Sequence, residues 1–194
     1  MQHYYSPMSR NKTYNKQEVL EKAMNLFWKQ GYEATSMQQL EKVMGINKFS
    51  IYASFKNKKE LFKESIKCYA EKLHRIIDKM QYAKGGVEAI RQYFYDFIAF
   101  SKEDENAKGC LITNTANECI KEDKDSIQHL LKSYTAEIRD IFAQKLREDK
   151  SLSEQEVQEK ADYLLMAMYG FSSVTKTFSQ AQLHTFIEKT FKAL

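Results

Sequence analysis

One proline, Pro7, and six glycines are spread over 194 residues. Proline removes a helical hydrogen bond and glycine costs about 1 kcal/mol in a helix interior, so their scarcity leaves long helices uninterrupted. Cysteine is also scarce: Cys68, Cys110 and Cys119 are an odd number without close pairing. That argues against a disulfide framework or a cysteine zinc cluster. The four histidines, His3, His74, His129 and His184, show no metal-ligand spacing. There is no glycine-rich phosphate loop and no convincing serine–histidine–acid order. No metal, no cofactor and no enzymatic activity are therefore expected. No apolar run reaches the ~18 residues needed to span a bilayer. The opening stretch MQHYYSPMSRNKTYNK lacks the apolar core of a secretory signal. The expectation is a cytoplasmic protein without a membrane partner.

What is present is helical periodicity. Apolar residues recur at helical spacing from Val19 to Trp28, from Leu61 to Met80 and from Val87 to Ile98. The pattern continues from Leu130 to Leu146, from Val157 to Phe171 and from Leu183 to Phe191. No alternating strand pattern and no internal repeat occurs, so the fold class is all-α. Residues 31–62 stand apart. Ser36 is placed to cap a short helix with Leu40 and Val43 on its apolar side. Gly45 follows where the chain must reverse, a position suited to a residue that tolerates positive φ. Asn47 is placed to cap a second short helix from Lys48 through Ala53. Asn57, with Glu60 three residues on, begins a long third one that ends near Lys84, Gly85 and Gly86. Two short capped helices around a glycine turn are a helix-turn-helix, whose second helix enters the DNA major groove.

Charge supports this reading. Residues 1–60 hold ten Lys and Arg against five Glu, whereas the remainder holds twenty basic against twenty-one acidic residues. All of the positive excess surrounds the helix-turn-helix, as expected of a phosphate-binding head on a near-neutral body. Phe27 and Trp28 are expected to pack beneath the head, with Tyr32 covering them. The expected division is a flexible arm over 1–13 carrying Arg10 and Lys12, a DNA-binding head over 14–60, and a ligand-binding and dimerisation body over 61–194.

Gly31-Tyr32, Thr35-Ser36, Gly45-Ile46-Asn47, Ile51-Tyr52, Phe55 and Lys58-Lys59-Glu60-Leu61-Phe62 together resemble the N-terminal domain of TetR-family transcriptional repressors. The resemblance covers residues 14–62. It implies an all-helical homodimer in which two heads bind a pseudo-palindromic double-stranded operator and a small-molecule effector in the body releases them. It also implies that Lys48, Phe49, Ser50 and Tyr52 face DNA. Thr35 and Ser36 at one helix N-terminus, and Lys59 at the next, suit phosphate oxygens. Three positions depart from the family pattern: Phe49, where a small residue is usual; Ser54, where an aromatic or His is usual; and Glu41, where Ala is favoured.

Gly109-Cys110-Leu111, followed by Asn114-Thr115-Ala116-Asn117-Glu118, resembles a segment found in a subset of the family that includes redox- and electrophile-responsive members. Cys110 reads either as a sensor thiol, with Lys108 or Lys176 favouring its thiolate, or as a small buried hydrophobe. Aromatics crowd the body, and Tyr93, Phe97, Cys110, Asn114, Tyr134 and Met168 are the candidate ligand-pocket residues. Asp125 or Ser126 is expected to open one helix, and Ser153 with Glu156 to form a capping box for the next. The run ADYLLMAMYGFSSV over 161–174 is apolar on nearly every side, so its helix is expected to be buried all round and to form the dimer seam with the last helix. A helical interaction protein that binds no DNA is the rival reading; it leaves the basic, capped head unexplained.

Overall fold

The structure is a computed structural model that describes residues 14–102, 109–118, 124–192 and 194. The expected arm over 1–13, with Arg10 and Lys12, lies outside the described residues, as do Lys108 and Cys119. Among the described residues the chain forms nine helices and no strand. These are α1 (Lys16–Gln30), α2 (Met37–Met44), α3 (Lys48–Phe55), α4 (Lys58–Tyr82), α5 (Val87–Ser101), α6 (Leu111–Asn117), α7 (Lys124–Leu146), α8 (Glu154–Val174) and α9 (Gln180–Lys192). None is long and apolar enough to cross a membrane.

The boundaries follow the side chains that satisfy free helix ends. Asn15 caps α1, accepting from the amides of Gln17 and Glu18. Ser36 and Gln39 form a reciprocal capping box on α2, and Gly45 ends that helix in the left-handed region at φ 69°. Asn47 accepts from the Ser50 amide and Asn57 from the Glu60 amide. The expected Ser153–Glu156 box is present at the start of α8. Helix α7 begins at Lys124, so Asp125 and Ser126 lie in its first turn and neither is its cap.

Leu40, Met44, Ile51, Phe55, Leu61 and Phe62 are buried with Ala23, Met24 and Phe27 as the core of the head. Phe62 meets Phe27 edge-on at a centroid distance of 4.9 Å, and Tyr32 lies against both rings. Helix α4 therefore begins inside the head core, and the boundary expected between residues 60 and 61 falls within its first turn. Its later residues Tyr69, Leu73, Ile77 and Met80 are buried too, in the same hydrophobic cluster that runs on through α5, α7 and α8. Glu21 on α1 and Lys72 on α4 pair at 2.9 Å, and Lys79 on α4 pairs with Asp96 on α5 at 2.7 Å.

Two expectations are corrected. Trp28 does not pack under the head. Its ring lies edge-on to Tyr69 and stacked on Phe100, and its Nε1 donates to the Gly109 carbonyl at 3.2 Å. An indole N–H needs an acceptor when buried, and here the acceptor is a carbonyl of the body. Nor is α8 buried all round: Met166 is 67% exposed, and Tyr163 and Gly170 also face outward. Within one chain α7, α6 and α9 pack against that helix, and Phe94 and Phe97 of α5 meet its Phe171 ring, whereas the Tyr163, Met166 and Gly170 side stays open among the described residues.

Candidate nucleic-acid interface and ligand cavity

Helix α3 is anchored by Ile51 and Phe55, which face the core at helical spacing. The opposite side is therefore presented outward. Phe49 is 86% exposed, Lys48 and Tyr52 are exposed, and Ser50 is half-buried. The Lys48 ammonium lies 5.5 Å from the centre of the Tyr52 ring, a cation–π contact that keeps both side chains on one face. Ser36 is exposed at the N-terminus of α2, and Lys59 sits half-buried in the first turn of α4.

Thr35 departs from the expected phosphate role. It is 1% exposed; its hydroxyl donates to the Gly31 carbonyl at 2.6 Å and accepts from Gln30 Nε2 at 3.1 Å. The side chain shapes the turn that delivers Ser36 and does not itself reach the surface.

The structure gives reasons for two departures from the family pattern. The Glu41 carboxylate accepts from the Lys48 amide at 2.5 Å, placing a negative charge at the N-terminus of α3. Ser54 shares a 2.6 Å hydroxyl hydrogen bond with Tyr14, whose hydroxyl also donates to the Ser50 carbonyl. Tyr14 thus reaches across from just before α1 to brace the recognition helix, a role the sequence did not signal. Lys16 and Lys58 stand over the rings of Phe55 and Tyr32 and add basic charge around the head.

In the body, a partly open cavity of about 30 Å³ lies among α4, α5, α6, α7 and α8. Tyr93, Phe97, Cys110, Tyr134 and Met168 line it, as do Thr113, Thr135, Tyr169 and Ser172. Asn114 does not. It follows Thr113 by one helical step, which turns it away from the cavity, and its Oδ1 lies 3.5 Å from where a β-carbon on Gly109 would sit. The hydroxyls of Thr113 and Ser172 pair at 2.9 Å, and those of Thr135 and Tyr169 at 2.6 Å. Thr135, Leu165 and Tyr169 also line a wider open groove of about 570 Å³ over α6, α7 and α8. The Thr135–Tyr169 pair thus stands between the groove and the cavity.

The Tyr93 hydroxyl is fully buried and makes no hydrogen bond. Burial pushes its phenol far above the ordinary range, and the neighbouring Cys110 pushes it further. Cys110 is buried in the cavity wall. Lys176 comes up beside it, its Cε 2.8 Å from where a β-carbon on Gly109 would lie. Burial lowers the Lys176 pKa, with Cys110 acting in the opposite sense. Among the described residues, no cluster of His, Cys, Asp and Glu could hold a metal.

An outward-facing recognition helix on a helix-turn-helix head, joined by a long helix to an all-helical body, is the architecture of a DNA-binding transcriptional regulator. Residues 19–65 match the family model of the bacterial regulatory proteins of the tetR family. The chain is 33% identical over 136 residues to YezE, an uncharacterized HTH-type transcriptional regulator of Bacillus subtilis (strain 168), covering 70% of each. It is 28% identical over 131 residues to IcaR, the HTH-type negative transcriptional regulator of the biofilm operon icaADBC in Staphylococcus aureus, covering 66% of this chain and 69% of that one. Among solved structures, a cysteine-substituted CifR complexed with 26 bp of double-strand operator DNA superposes with a TM-score of 0.85 at 25% identity. That match covers 95% of this chain and 99% of CifR. A regulator from Legionella pneumophila shares the fold, with a TM-score of 0.78 at 19% identity over 95% of this chain and 100% of that one. The chain belongs to the TetR family and is a DNA-binding transcriptional regulator, not an enzyme.

Proposed function

We propose that the protein is a ligand-responsive repressor that binds a pseudo-palindromic operator as a homodimer. The observation that carries the DNA-binding surface is the outward face of α3, with Lys48, Phe49, Ser50 and Tyr52 held in place by the buried Ile51 and Phe55. Lys48 suits a guanine edge or a phosphate, Phe49 a thymine methyl, and Ser50 either partner of a pair. Tyr52, Ser36 and Lys59 serve phosphates. Two copies of this face, one per protomer, read half-sites one or more helical turns apart.

The dimer reading rests on apolar exposure. Four of the large exposed hydrophobic residues, Tyr163, Met166, Phe178 and Phe186, lie on α8, on α9 or in the turn between them. A second copy packing there against the same surface gives a closed two-fold contact. The effector reading rests on the cavity. Its lining is apolar, and the unpaired Tyr93 hydroxyl offers a hydrogen bond to an acceptor oxygen. An electrophile admitted past Tyr169 would also meet the Cys110 thiol. An effector that fits only an enlarged cavity favours a different spacing of the heads and draws the population away from the DNA-competent state. Helix α4, which shares side chains with both cores, carries the movement.

Selection of bound duplexes from a random DNA pool tests this reading in one step. The expected outcome is an enriched inverted repeat. Recovery of no sequence at any salt concentration would instead favour a helical interaction protein.

A further inference from the structure

Helix α6 is held to the head at both ends. Just before it, the Gly109 carbonyl accepts from Trp28 Nε1 at 3.2 Å. At its other end Glu118 reaches the turn between α1 and α2. There Oε2 accepts from the Tyr32 amide at 3.0 Å and Oε1 from the Glu33 amide at 2.7 Å. One carboxylate thus grips two consecutive backbone amides from a residue 85 positions away. Such charge-assisted bonds are about twice as strong as neutral ones.

Two further observations show that the fit is specific. Gly31, immediately before the gripped amides, has φ 85°, and a β-carbon there would come within 2.9 Å of Glu118 Oε1. The carboxylate occupies the space that any other residue at 31 would fill. Glu118 is also the C-terminal cap residue of α6, where the helix dipole disfavours negative charge. Its backbone N–H caps α6 by donating to the Thr115 carbonyl, but its carboxylate contributes nothing favourable to that helix. The interaction is made with the head.

The gripped turn leads directly through Thr35, folded back on the Gly31 carbonyl, to Ser36 at the start of α2. The opposite end of α6 is the cavity wall, through Cys110, Ile112 and Thr113. We propose that Glu118 is a positioning residue for DNA recognition: a carboxylate of the body that sets the angle at which the head presents α2, and through it α3, to the operator. The inference rests on the regulator reading given above. It adds that operator selectivity depends on a side chain of the body that is not itself part of the DNA-contacting face.

The test uses the full-length protein, the duplex enriched from the random pool, and a scrambled duplex of equal length. Glu118→Ala is expected to lower the ratio of enriched to scrambled affinity about tenfold, the scale of one hydrogen bond to a charged group. Affinity for the scrambled duplex and the salt slope should stay unchanged, because the phosphate-contacting residues remain. Glu118→Gln keeps one carbonyl acceptor and should fall between the two proteins. In the same samples the Tyr32 and Glu33 amides should exchange hydrogen at least tenfold faster in Glu118→Ala. An unchanged affinity ratio overturns the proposal. So does an equal loss on both duplexes that tracks a lower melting temperature, since that is the behaviour of a residue needed only for folding. If the unsubstituted protein itself prefers no duplex, the regulator reading fails and the role of Glu118 in recognition fails with it. If the unsubstituted protein discriminates and Glu118→Ala discriminates equally, only the role of Glu118 is lost.

Discussion

Tyr93 is fully buried with its hydroxyl unsatisfied. A buried polar group without a partner costs about 1–3 kcal/mol. Tyr93→Phe removes the hydroxyl and keeps the ring, so the unliganded protein should gain about 1 kcal/mol, read as a rise of a few degrees in melting temperature. A lower melting temperature would mean that the hydroxyl is satisfied in solution by a water that the 30 Å³ cavity can hold. The same residue illustrates what sequence shows and what it hides. Tyr93, Phe97, Tyr134 and Met168 were legible as pocket candidates from the crowding of aromatic and Met residues in the body and Cys110 from the Gly-Cys-Leu segment; all five line the cavity, whereas Asn114 does not. The hydroxyl pairs Thr113–Ser172 and Thr135–Tyr169 were not legible, because each joins residues from different helices. Thr35 was misread for a related reason. A threonine at a helix N-terminus looks like a phosphate ligand until the turn before it is seen to take the hydroxyl inward.

Among the elements, α2, α3, the start and end of α4 and the start of α8 were readable from caps and glycines, since those signals are local. Trp28 and Glu118 were not readable as head-to-body contacts, because their partners at Gly109 and at the Tyr32 and Glu33 amides are remote in sequence. The pairing of α1 with α4 is likewise non-local, and it makes a pH-dependent prediction. The hydrogen bond from Lys72 holds the Glu21 carboxyl below the ordinary carboxylate range. A carboxylate with a depressed folded-state pKa stabilises the fold above its unfolded pKa of about 4.3, and that contribution is lost as pH falls through the lower folded value. Glu21→Gln should therefore melt below the unsubstituted protein at pH 7, and the two melting curves should converge once the pH has fallen below the lowered folded value. The gap should be small, about 0.5 kcal/mol, because the pair is partly exposed.

At the level of the whole molecule, positive charge is concentrated at one end and exposed apolar surface on the α8–α9 face. If, as proposed, these two surfaces serve different partners, DNA and a second copy, they should be separable by mutation. Met166→Glu puts a charge into the open face of α8 while leaving the head untouched. It should convert a dimer to a monomer in sedimentation velocity and leave the helical circular dichroism intact. Affinity for the full inverted repeat should then fall to that for a single half-site. A dimer that survives the substitution would relocate the seam.

The ring of Phe49 carries a thermodynamic consequence. Its 86% exposure means that the free protein keeps an aromatic side chain hydrated on a face otherwise made for a polyanion. Burial of apolar surface on binding makes the heat capacity change negative, whereas phosphate contacts made through ions contribute little of that sign. Calorimetric titrations at several temperatures should therefore give a more negative heat capacity change for the enriched operator than for scrambled DNA, where no thymine methyl is held in register with the ring. Phe49→Ala should narrow that difference. The side chain that departs most visibly from its family would then be the one that lets heat distinguish a recognised site from a passing one.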